Sequence, residues 1–166
     1  IERFVSFLPI RHSFERVGGH YYIFSIGTSI YYAEMNFTPE ILFENIREVR
    51  PTFLTAVPRI FEKIHAKILD SVASMTGVKR KLADWSIGIG LQTVPYRQRS
   101  QDLPFMLGLK YKMADKLVLN KFRAALGGKV RACSSGGSAL SKEVGSFFCG
   151  IGITIIEGYG LTETSP

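Results

Sequence analysis

Short apolar runs that alternate with amphipathic helical segments are the feature that most constrains the fold of this chain. Four runs have the length and the β-branched or aromatic content of strands, and they cover residues 29–33, 53–57, 129–134 and 153–157. Helical patterns separate these runs, which gives three βαβ-type units. Because such units join parallel strands through right-handed crossovers, the sequence predicts an α/β fold with a mostly parallel sheet flanked by helices.

The helices are marked by apolar residues at helical spacing and by residues typical of helix ends. One helix is predicted within residues 13–26, and Thr38 is placed to cap a second, which Pro51 ends. A third carries an apolar residue at every fourth position from Ile60 to Val72. Ser141 is predicted to cap the last helix, whose core face consists of Val144, Phe147, Phe148 and Ile151.

The stretch from residue 76 to residue 126 contains helices and loops without a convincing strand. One long amphipathic helix is predicted there, with an apolar face made of Leu109, Met113, Leu117 and Phe122, and Gly127 and Gly128 end it. We interpret the stretch as a basic helical insert within a single α/β domain over residues 1–166, because 166 residues suffice for one hydrophobic core.

The cysteines and the least charged segment exclude several classes of protein. Cys133 and Cys149 form no disulfide framework and have no metal-ligand spacing, which favours a reducing, cytoplasmic setting. Residues 17–33 carry little charge, but glycines and His20 interrupt them. A membrane span needs about twenty mainly apolar residues, so this segment is better explained as a buried helix followed by a strand.

The positive charge is concentrated in the helical insert. Twelve of the 21 Lys and Arg residues lie between Thr76 and Arg131, against three acids, within a net charge of +7. Nucleic acid is disfavoured because basic residues interleaved with aromatics, and nucleic-acid motifs, are absent from the sequence. Anionic lipid headgroups are the better functional interpretation, and they suggest peripheral contact with a membrane. A solvated or intramolecular basic face is the more common alternative.

The last strand leads into a glycine-rich loop that carries groups suited to a nucleotide. Ligands of open α/β sheets bind beyond the carboxyl ends of the strands, where this loop is expected to lie. Tyr159 could stack on a base, Thr162 could donate a hydrogen bond to a phosphate, and Glu163 could hold a magnesium ion. The alternative is a tight turn at Gly158–Gly160 with solvated carboxylates.

An ordered set of motifs along the chain resembles one enzyme superfamily. Tyr159-Gly-Leu-Thr-Glu163 is similar to the Tyr-Gly-x-Thr-Glu signature of the adenylate-forming enzymes. Leu8-Pro-Ile-Arg-His-Ser-Phe-Glu-Arg16 resembles a stretch of their long-chain acyl-CoA synthetases. The resemblance continues through Tyr31–Glu34, Val49–Thr52, Ala56–Ile64 and Ser134–Ser141 in the same order, and it covers essentially the whole chain.

The resemblance implies roles for residues at matching positions. Gly136, Gly137 and Ser138 would lie along the adenine of ATP, and Glu157, Gly158 and Tyr159 would complete its pocket. Thr162 would bind the α-phosphate, Glu163 would coordinate Mg²⁺, and His12 would lie near the acyl carboxylate. The implied substrates are a long-chain fatty acid, ATP and coenzyme A. Phe14, Tyr21, Tyr22 and Phe24 could line a fatty-acid tunnel, although aromatics at helical spacing more often belong to an ordinary core. Glu15 and Arg16 could form a local ion pair at the entrance of this tunnel.

The same resemblance implies that parts of the enzyme lie outside this chain. The Ser/Thr/Gly-rich phosphate loop with its Lys would precede Ile1, and the ribose-binding Asp, the hinge and the catalytic Lys would follow Pro166. The chain is therefore expected to be a fragment that does not turn over alone. Two alternatives stay open: a ligase for medium-chain or aryl acids, and a catalytically silent binding module on the same scaffold.

Overall fold

The sheet consists of five short parallel strands. The computed structural model of the chain describes residues 2–34 and 38–160. The strand order is β2-β1-β3-β4-β5, with every neighbouring pair parallel. The strands are β1 (Arg3–Ser6), β2 (Ser29–Tyr32), β3 (Phe53–Ala56), β4 (Ala132–Ser135) and β5 (Thr154–Glu157). The predicted α/β class with a mostly parallel sheet is confirmed.

Strand β1 was missed by the sequence analysis, although it is a central strand. Its four residues include Arg3 and Ser6, so the run is too short and too polar to stand out. Phe4 and Val5 are nevertheless buried, because β1 lies between β2 and β3. Its position brings Ser6 to the carboxyl edge of the sheet.

The register aligns the carboxyl ends of three neighbouring strands. Ala56 of β3 lies opposite Ser135 of β4, and Ser135 lies opposite Glu157 of β5. The loops that leave these strands therefore start at the same edge of the sheet. Ligands of parallel α/β sheets bind at this edge.

Helices connect the strands, and most of the predicted ones are present. The first, α1, begins as a π-helix (Glu15–Tyr21) and continues as an α-helix (Tyr22–Ser25). The others are α2 (Pro39–Val49), α3 (Pro58–Ala73), α4 (Gly77–Gln98), α5 (Phe105–Ala114), α6 (Asn120–Ala124) and α7 (Lys142–Gly150), and a π-helical segment (Asp115–Leu119) joins α5 to α6. Thr38 and Ser141 cap α2 and α7 as predicted, since their side chains accept hydrogen bonds from Ile41 N and Val144 N.

The core lies between the sheet and helices α2, α3, α4 and α7. Aromatic rings link α3 to α7, with 5.6 Å between the ring centroids of Phe61 and Phe148. Helices α4 and α7 cross at two glycines: a Cβ built on Gly90 would lie 2.8 Å from the carbonyl oxygen of Gly150. This crossing holds the helical insert against the last βαβ unit.

The apolar face predicted for the helical insert does not point toward the core. Leu109, Met113 and Leu117 are exposed, and only Phe122 of the predicted face is buried. The opposite side of the helix packs on the core instead, through Leu107, Tyr111, Ala114 and Val118. Both sides are apolar at helical spacing, so periodicity could not decide between them. The fully buried Ala114 allows a close approach that the longer Leu109 and Met113 would prevent.

Candidate functional site

A cavity of about 430 Å³ opens at the carboxyl edge of the sheet. Four loops enclose it, and they follow β1, β3, β4 and β5. It is lined by Leu8, Pro9, His12, Ser13, Phe14, Glu15, Val17, Gly18, Val57, Gly136, Gly137, Gly158, Tyr159 and Gly160. This volume lies within the range of small-molecule sites in proteins.

Five of the predicted site residues meet in this cavity. His12 comes from the turn after β1, Gly136 and Gly137 from the loop after β4, and Gly158 and Tyr159 from the loop after β5. They are separated by more than a hundred residues of sequence but share one edge of the sheet. The structure therefore supports a single site rather than scattered motif matches.

His12 is held by its backbone while its side chain remains exposed. Its N–H donates to Pro9 O at 2.9 Å, and its carbonyl oxygen accepts from Arg16 N at 3.0 Å. These bonds close the turn that leads into α1. The imidazole can thus face a ligand in the cavity without first breaking a contact of its own backbone turn.

Glu15 is the buried acid of the site. Its side chain is fully buried; Oε1 accepts from Ser6 Oγ at 2.5 Å, and Oε2 accepts from Thr55 Oγ1 at 3.1 Å. The suggested ion pair with Arg16 is wrong: Arg16 is exposed, and the carboxylate points to the strands instead. Two hydroxyl donors compensate for the loss of water around the buried carboxylate.

The π-helix places the carboxylate of Glu15 against Gly19. A Cβ built on Gly19 would lie 2.7 Å from the carboxyl carbon of Glu15, so only glycine fits at this position without displacing the carboxylate. π-helical turns occur frequently at functional sites, where they change the direction of side chains. Here the turn aims Glu15 at β1 and β3 while Phe14 stays in the cavity.

Burial raises the pKa of Glu15, whereas the hydrogen bonds from Ser6 and Thr55 and the charge of His20 oppose that rise. His20 is also buried, and its Nδ1 lies 3.2 Å from the carbonyl oxygen of Glu15. Its Nε2 has no hydrogen-bond partner among the described residues. The π-helix thus carries two buried titratable groups, of which Glu15 lines the cavity.

The loop after β4 packs its first glycine against an aromatic ring. A Cβ built on Gly136 would lie 2.9 Å from Cε2 of Phe14. The N–H of Gly136 donates to Ala56 O at 3.3 Å, which fixes the loop to the end of β3. Gly137 has a φ of +88°, a conformation that residues with a side chain rarely adopt.

The loop after β5 is fixed at its base and presents a free ring. Gly158 N donates to Ser135 O at 2.8 Å, which extends the β4–β5 register by one residue. The side chain of Tyr159 follows directly and is 91% exposed at the cavity. A flat aromatic surface at the mouth of the cavity is suited to stacking on a planar ligand.

Two predicted residues, Ser138 and Glu157, do not line this cavity in the described part of the chain. Ser138 is exposed beyond Gly137. Glu157 lies in a neighbouring groove with Arg97 and Cys149, and its Oε2 accepts from Leu140 N at 3.1 Å. The carboxylate of Glu157 therefore ties the loop after β4 to the loop after β5.

Thr162 and Glu163 lie outside the described residues, so their predicted contacts to phosphate and Mg²⁺ remain predictions. Within residues 2–34 and 38–160, no cluster of three or more His, Cys, Asp and Glu side chains could hold a metal ion. Burial raises the pKa of Cys133 to about 12, and burial also raises the pKa of Cys149. Both shifts disfavour the thiolate, which is the nucleophilic form of cysteine.

Sequence reasoning placed Phe14 and Glu15 near a fatty-acid tunnel, but it did not identify Glu15 as the buried acid of the site or Val57 as part of its lining. Glu15 was paired with its neighbour because adjacent opposite charges suggest a surface pair. A usable signal was present: an acid three residues after His12, inside the motif that resembles a ligase family, has a reason to lie near the ligand. The partner hydroxyls, Ser6 and Thr55, could be assigned only once both strands were aligned.

The fold and the cavity place the chain among α/β proteins that bind ligands at the carboxyl edge of a parallel sheet. The sequence matches the AMP-binding enzyme family over residues 2–166, so the chain belongs to this family, the adenylate-forming enzymes.

Curated relatives and solved structures agree with this assignment. The chain is 31% identical over 166 residues to the long-chain-fatty-acid–CoA ligase ACSBG2 of Gallus gallus. The alignment covers 99% of this chain and 21% of that protein. It is 35% identical over 171 residues to the long-chain-fatty-acid–CoA ligase FadD15 of Mycobacterium bovis, covering 99% of the chain and 26% of that protein. The chain thus spans about a quarter of the length of these relatives.

The solved structures support the fold. The match to the adenylation domain of a carboxylate reductase from Mycobacterium chelonae has a TM-score of 0.54 and 22% identity. It covers 96% of this chain and 20% of the reductase chain. The corresponding domain from Segniliparus rugosus was solved in complex with AMP and a co-purified carboxylic acid. The match to it has a TM-score of 0.53 and 22% identity, and it covers 95% of this chain and 20% of that chain. The sheet of this chain and its flanking helices therefore have the fold of these adenylation domains.

Proposed function

We propose that the chain is part of an AMP-forming ligase that joins a long-chain fatty acid to coenzyme A. The observation that carries the proposal is the cavity where His12 meets the glycine loops after β4 and β5. The named function of the relatives, long-chain-fatty-acid–CoA ligase, supports the substrate class. The family supports the adenylation chemistry.

The proposed reaction has two steps. A carboxylate oxygen attacks the α-phosphorus of ATP; a P–O bond forms, the bond to the bridging oxygen breaks, and pyrophosphate leaves. The sulfur of coenzyme A then attacks the carbonyl carbon of the acyl-AMP, and AMP leaves. The thiol loses its proton in this second step. Neither step requires a nucleophile from the protein, which agrees with the raised pKa values of both cysteines.

The described residues would bind and position the substrates. The backbone of Gly136 and Gly137 would face the adenine, and the ring of Phe14 occupies the space that a side chain at Gly136 would fill. The exposed ring of Tyr159 would stack on it, and His12 would donate a hydrogen bond toward the acyl carboxylate or the α-phosphate. Such positioning and charge neutralisation are the main contributions of proteins to phosphoryl chemistry.

The proposed magnesium ligand and phosphate donor lie in residues 161–166. Glu163 would coordinate Mg²⁺, and Thr162 would donate to the α-phosphate. Magnesium commonly takes one or two carboxylates together with phosphate oxygens, so one Glu is sufficient for the protein's share. When bound, the ion would neutralise phosphate charge.

The test is ATP–pyrophosphate exchange by the full-length protein with short, medium, long and aromatic acids. Exchange that is greatest with long-chain acids, and that falls at least about 100-fold in Glu163→Gln, would support both the ligase and the magnesium ligand. Glu62→Gln, an exposed acid on α3, is the matched control and should leave the rate unchanged.

The other outcomes discriminate between the remaining functions. Exchange only with medium-chain or aromatic acids would keep the adenylation chemistry and reject the long-chain substrate. Absence of exchange with every acid, from folded protein supplied with magnesium, would instead favour a silent binding module. The isolated 166-residue chain is expected to be inactive, and ATP-dependent acyl-CoA formation by it would contradict that expectation.

A further inference from the structure

Helix α5 and the π-helical segment after it carry two apolar sides, and only one of them is used by the core. Leu107, Tyr111, Ala114 and Val118 face inward. On the opposite side, five large apolar side chains are between 42% and 84% exposed: Phe105, Met106, Leu109, Met113 and Leu117. We call these five residues the outer stripe.

The outer stripe is contiguous on the helix surface. At about 100° per residue, Phe105, Met106, Leu109 and Met113 fall within roughly a third of the circumference of α5. Single exposed apolar residues are ordinary on protein surfaces, but contiguous apolar patches bordered by polar groups mark interaction sites. The stripe therefore requires a partner that accepts apolar side chains.

Lysines border the outer stripe on both sides. Lys110 and Lys112 project to its two sides by the same helical geometry. Both lysines are exposed. Long lysine side chains can lie along an apolar surface while their charges reach polar groups beside it.

Neither lysine forms an ion pair with another of the described residues. Between residues 103 and 131 the sequence contains a single acid, Asp115. Its carboxylate is already bound by Arg123, at 2.5 Å and 3.0 Å, and Arg123 also donates to Ile151 O. The lysines beside the outer stripe thus have no acidic partner within this stretch, and their charge is available to an external anion.

We propose that the outer stripe docks on the surface of an anionic lipid bilayer, with its apolar side chains below the headgroups and its lysines at the phosphates. This arrangement of apolar residues flanked by lysines is the pattern of helices that lie in the membrane interface. In the described part of the chain, no helix is long and apolar enough to cross a membrane. The contact is therefore peripheral.

A bilayer fits the outer stripe better than a protein surface does. A protein partner, or the rest of this enzyme, would have to bury Phe105 and Met113 while placing acids on both sides of one short helix. An anionic bilayer supplies an apolar layer and a plane of negative charge along the whole length of the helix at once. The proposal does not depend on the chemistry of the active site.

The test is co-sedimentation of the full-length protein with phosphatidylcholine vesicles that contain either 30% phosphatidylserine or none. Lys110→Gln/Lys112→Gln should weaken binding to the anionic vesicles by about 25-fold, at about fivefold per lysine. Leu109→Gln/Met113→Gln should weaken it at least about tenfold. The matched control is Leu69→Gln/Leu91→Gln, two exposed leucines on α3 and α4, which should bind like the wild type.

A second measurement tests whether the outer stripe is free in the intact enzyme. Met113→Cys is labelled with an environment-sensitive dye in full-length protein whose other exposed cysteines, including Cys149, have been replaced with Ser. Rapid labelling without vesicles and a blue shift with anionic vesicles would support the proposal. Protection from labelling without vesicles would show that another part of the protein covers the stripe, and would overturn it.

Two further outcomes would also overturn the proposal: equal loss of vesicle binding in the control variant, and absence of vesicle binding by the wild type. The stripe variants should retain the wild-type rate of pyrophosphate exchange with a soluble short-chain acid that the enzyme accepts. This measurement separates failure of the membrane contact from failure of the proposed ligase activity.

Discussion

Glu15 and Ser6 form a buried hydrogen bond of 2.5 Å that joins the start of α1 to the end of β1. The second carboxylate oxygen accepts from Thr55 on the adjacent strand β3. One side chain thus fixes the turn that carries His12 to two central strands. We infer that Glu15 positions His12 and Phe14 in the cavity, without itself contacting a substrate.

Replacing Glu15 with Ala should destabilise the protein and misplace this turn. The substitution leaves the hydroxyls of Ser6 and Thr55 buried without their acceptor, which costs about 1–3 kcal/mol for an unsatisfied group. The measurement is the denaturant midpoint of the full-length protein. Glu62→Ala, an exposed position on α3, should change stability by no more than about 0.5 kcal/mol. Equal effects of the two substitutions would contradict the role of Glu15.

The buried carboxylate also predicts the sign of a pH dependence. Because burial raises the pKa of Glu15 in the folded state, the native protein holds this proton more tightly than the unfolded chain does. The stability that protonation contributes is present below the ordinary glutamate pKa of 4.5, and it is lost as the pH rises through the folded value.

Glu15→Gln removes this titration, so the melting temperature of the variant minus that of the wild type should increase as the pH rises from about 4.5. The amide of Gln also alters the hydrogen bonds with Ser6 and Thr55, and this adds a constant to the difference in melting temperature. The slope of that difference with pH is therefore the quantity to compare. A difference that falls over the same interval would show that the pKa of Glu15 is lowered by folding.

The crossing of α4 and α7 makes a prediction about two neighbouring glycines. A Cβ at Gly90 would lie 2.8 Å from a backbone oxygen of Gly150, whereas a Cβ at Gly88 would meet no atom within 4 Å. Gly90→Ala should therefore destabilise by about 1–3 kcal/mol through overpacking. Gly88→Ala, in the same helix, should stabilise by up to about 1 kcal/mol because alanine favours helix.

Thermal melting of both variants of the full-length protein tests this contrast. Matching shifts in the same direction would mean that the two helices separate easily, and that the close approach of Gly90 to Gly150 contributes little to stability.

The sequence predicted most of the fold because local patterns determine it. Regularly spaced isoleucines indicated α3, and the capping residues Thr38 and Ser141 indicated the starts of α2 and α7. The sequence could not show which distant segments of the chain contact each other. Strand β1 owes its burial to its neighbours, and the inward side of α5 is set by its contacts with the core, because both of its sides are apolar.

The same distinction applies to the site. Motif resemblance selected His12, Gly136, Gly137, Gly158 and Tyr159, and the cavity contains all five. It could not show that Glu157 binds Leu140 N or that Glu15 binds Ser6 and Thr55, because those contacts depend on strand register. A residue's type suggests its chemistry, whereas its partners follow only from the assembled sheet.

The contact between Gly136 and Phe14 yields a prediction that links packing to ligand binding. A methyl group at Gly136 would lie 2.9 Å from the ring of Phe14, so Gly136→Ala must push that ring out of its place. The ring lines the cavity, and its displacement should reduce the space for a nucleotide. We expect the affinity of the full-length protein for AMP to fall about tenfold or more, given about 1–3 kcal/mol for overpacking.

Gly145→Ala on α7 is the matched control, because its methyl group would make an ordinary contact of 3.7 Å with Leu140. Isothermal titration with AMP measures both variants, and a melting curve shows whether each is folded. If Gly136→Ala is folded and binds AMP as tightly as Gly145→Ala does, Phe14 can yield without closing the cavity. In that case AMP binding does not require the close contact between Gly136 and the ring of Phe14.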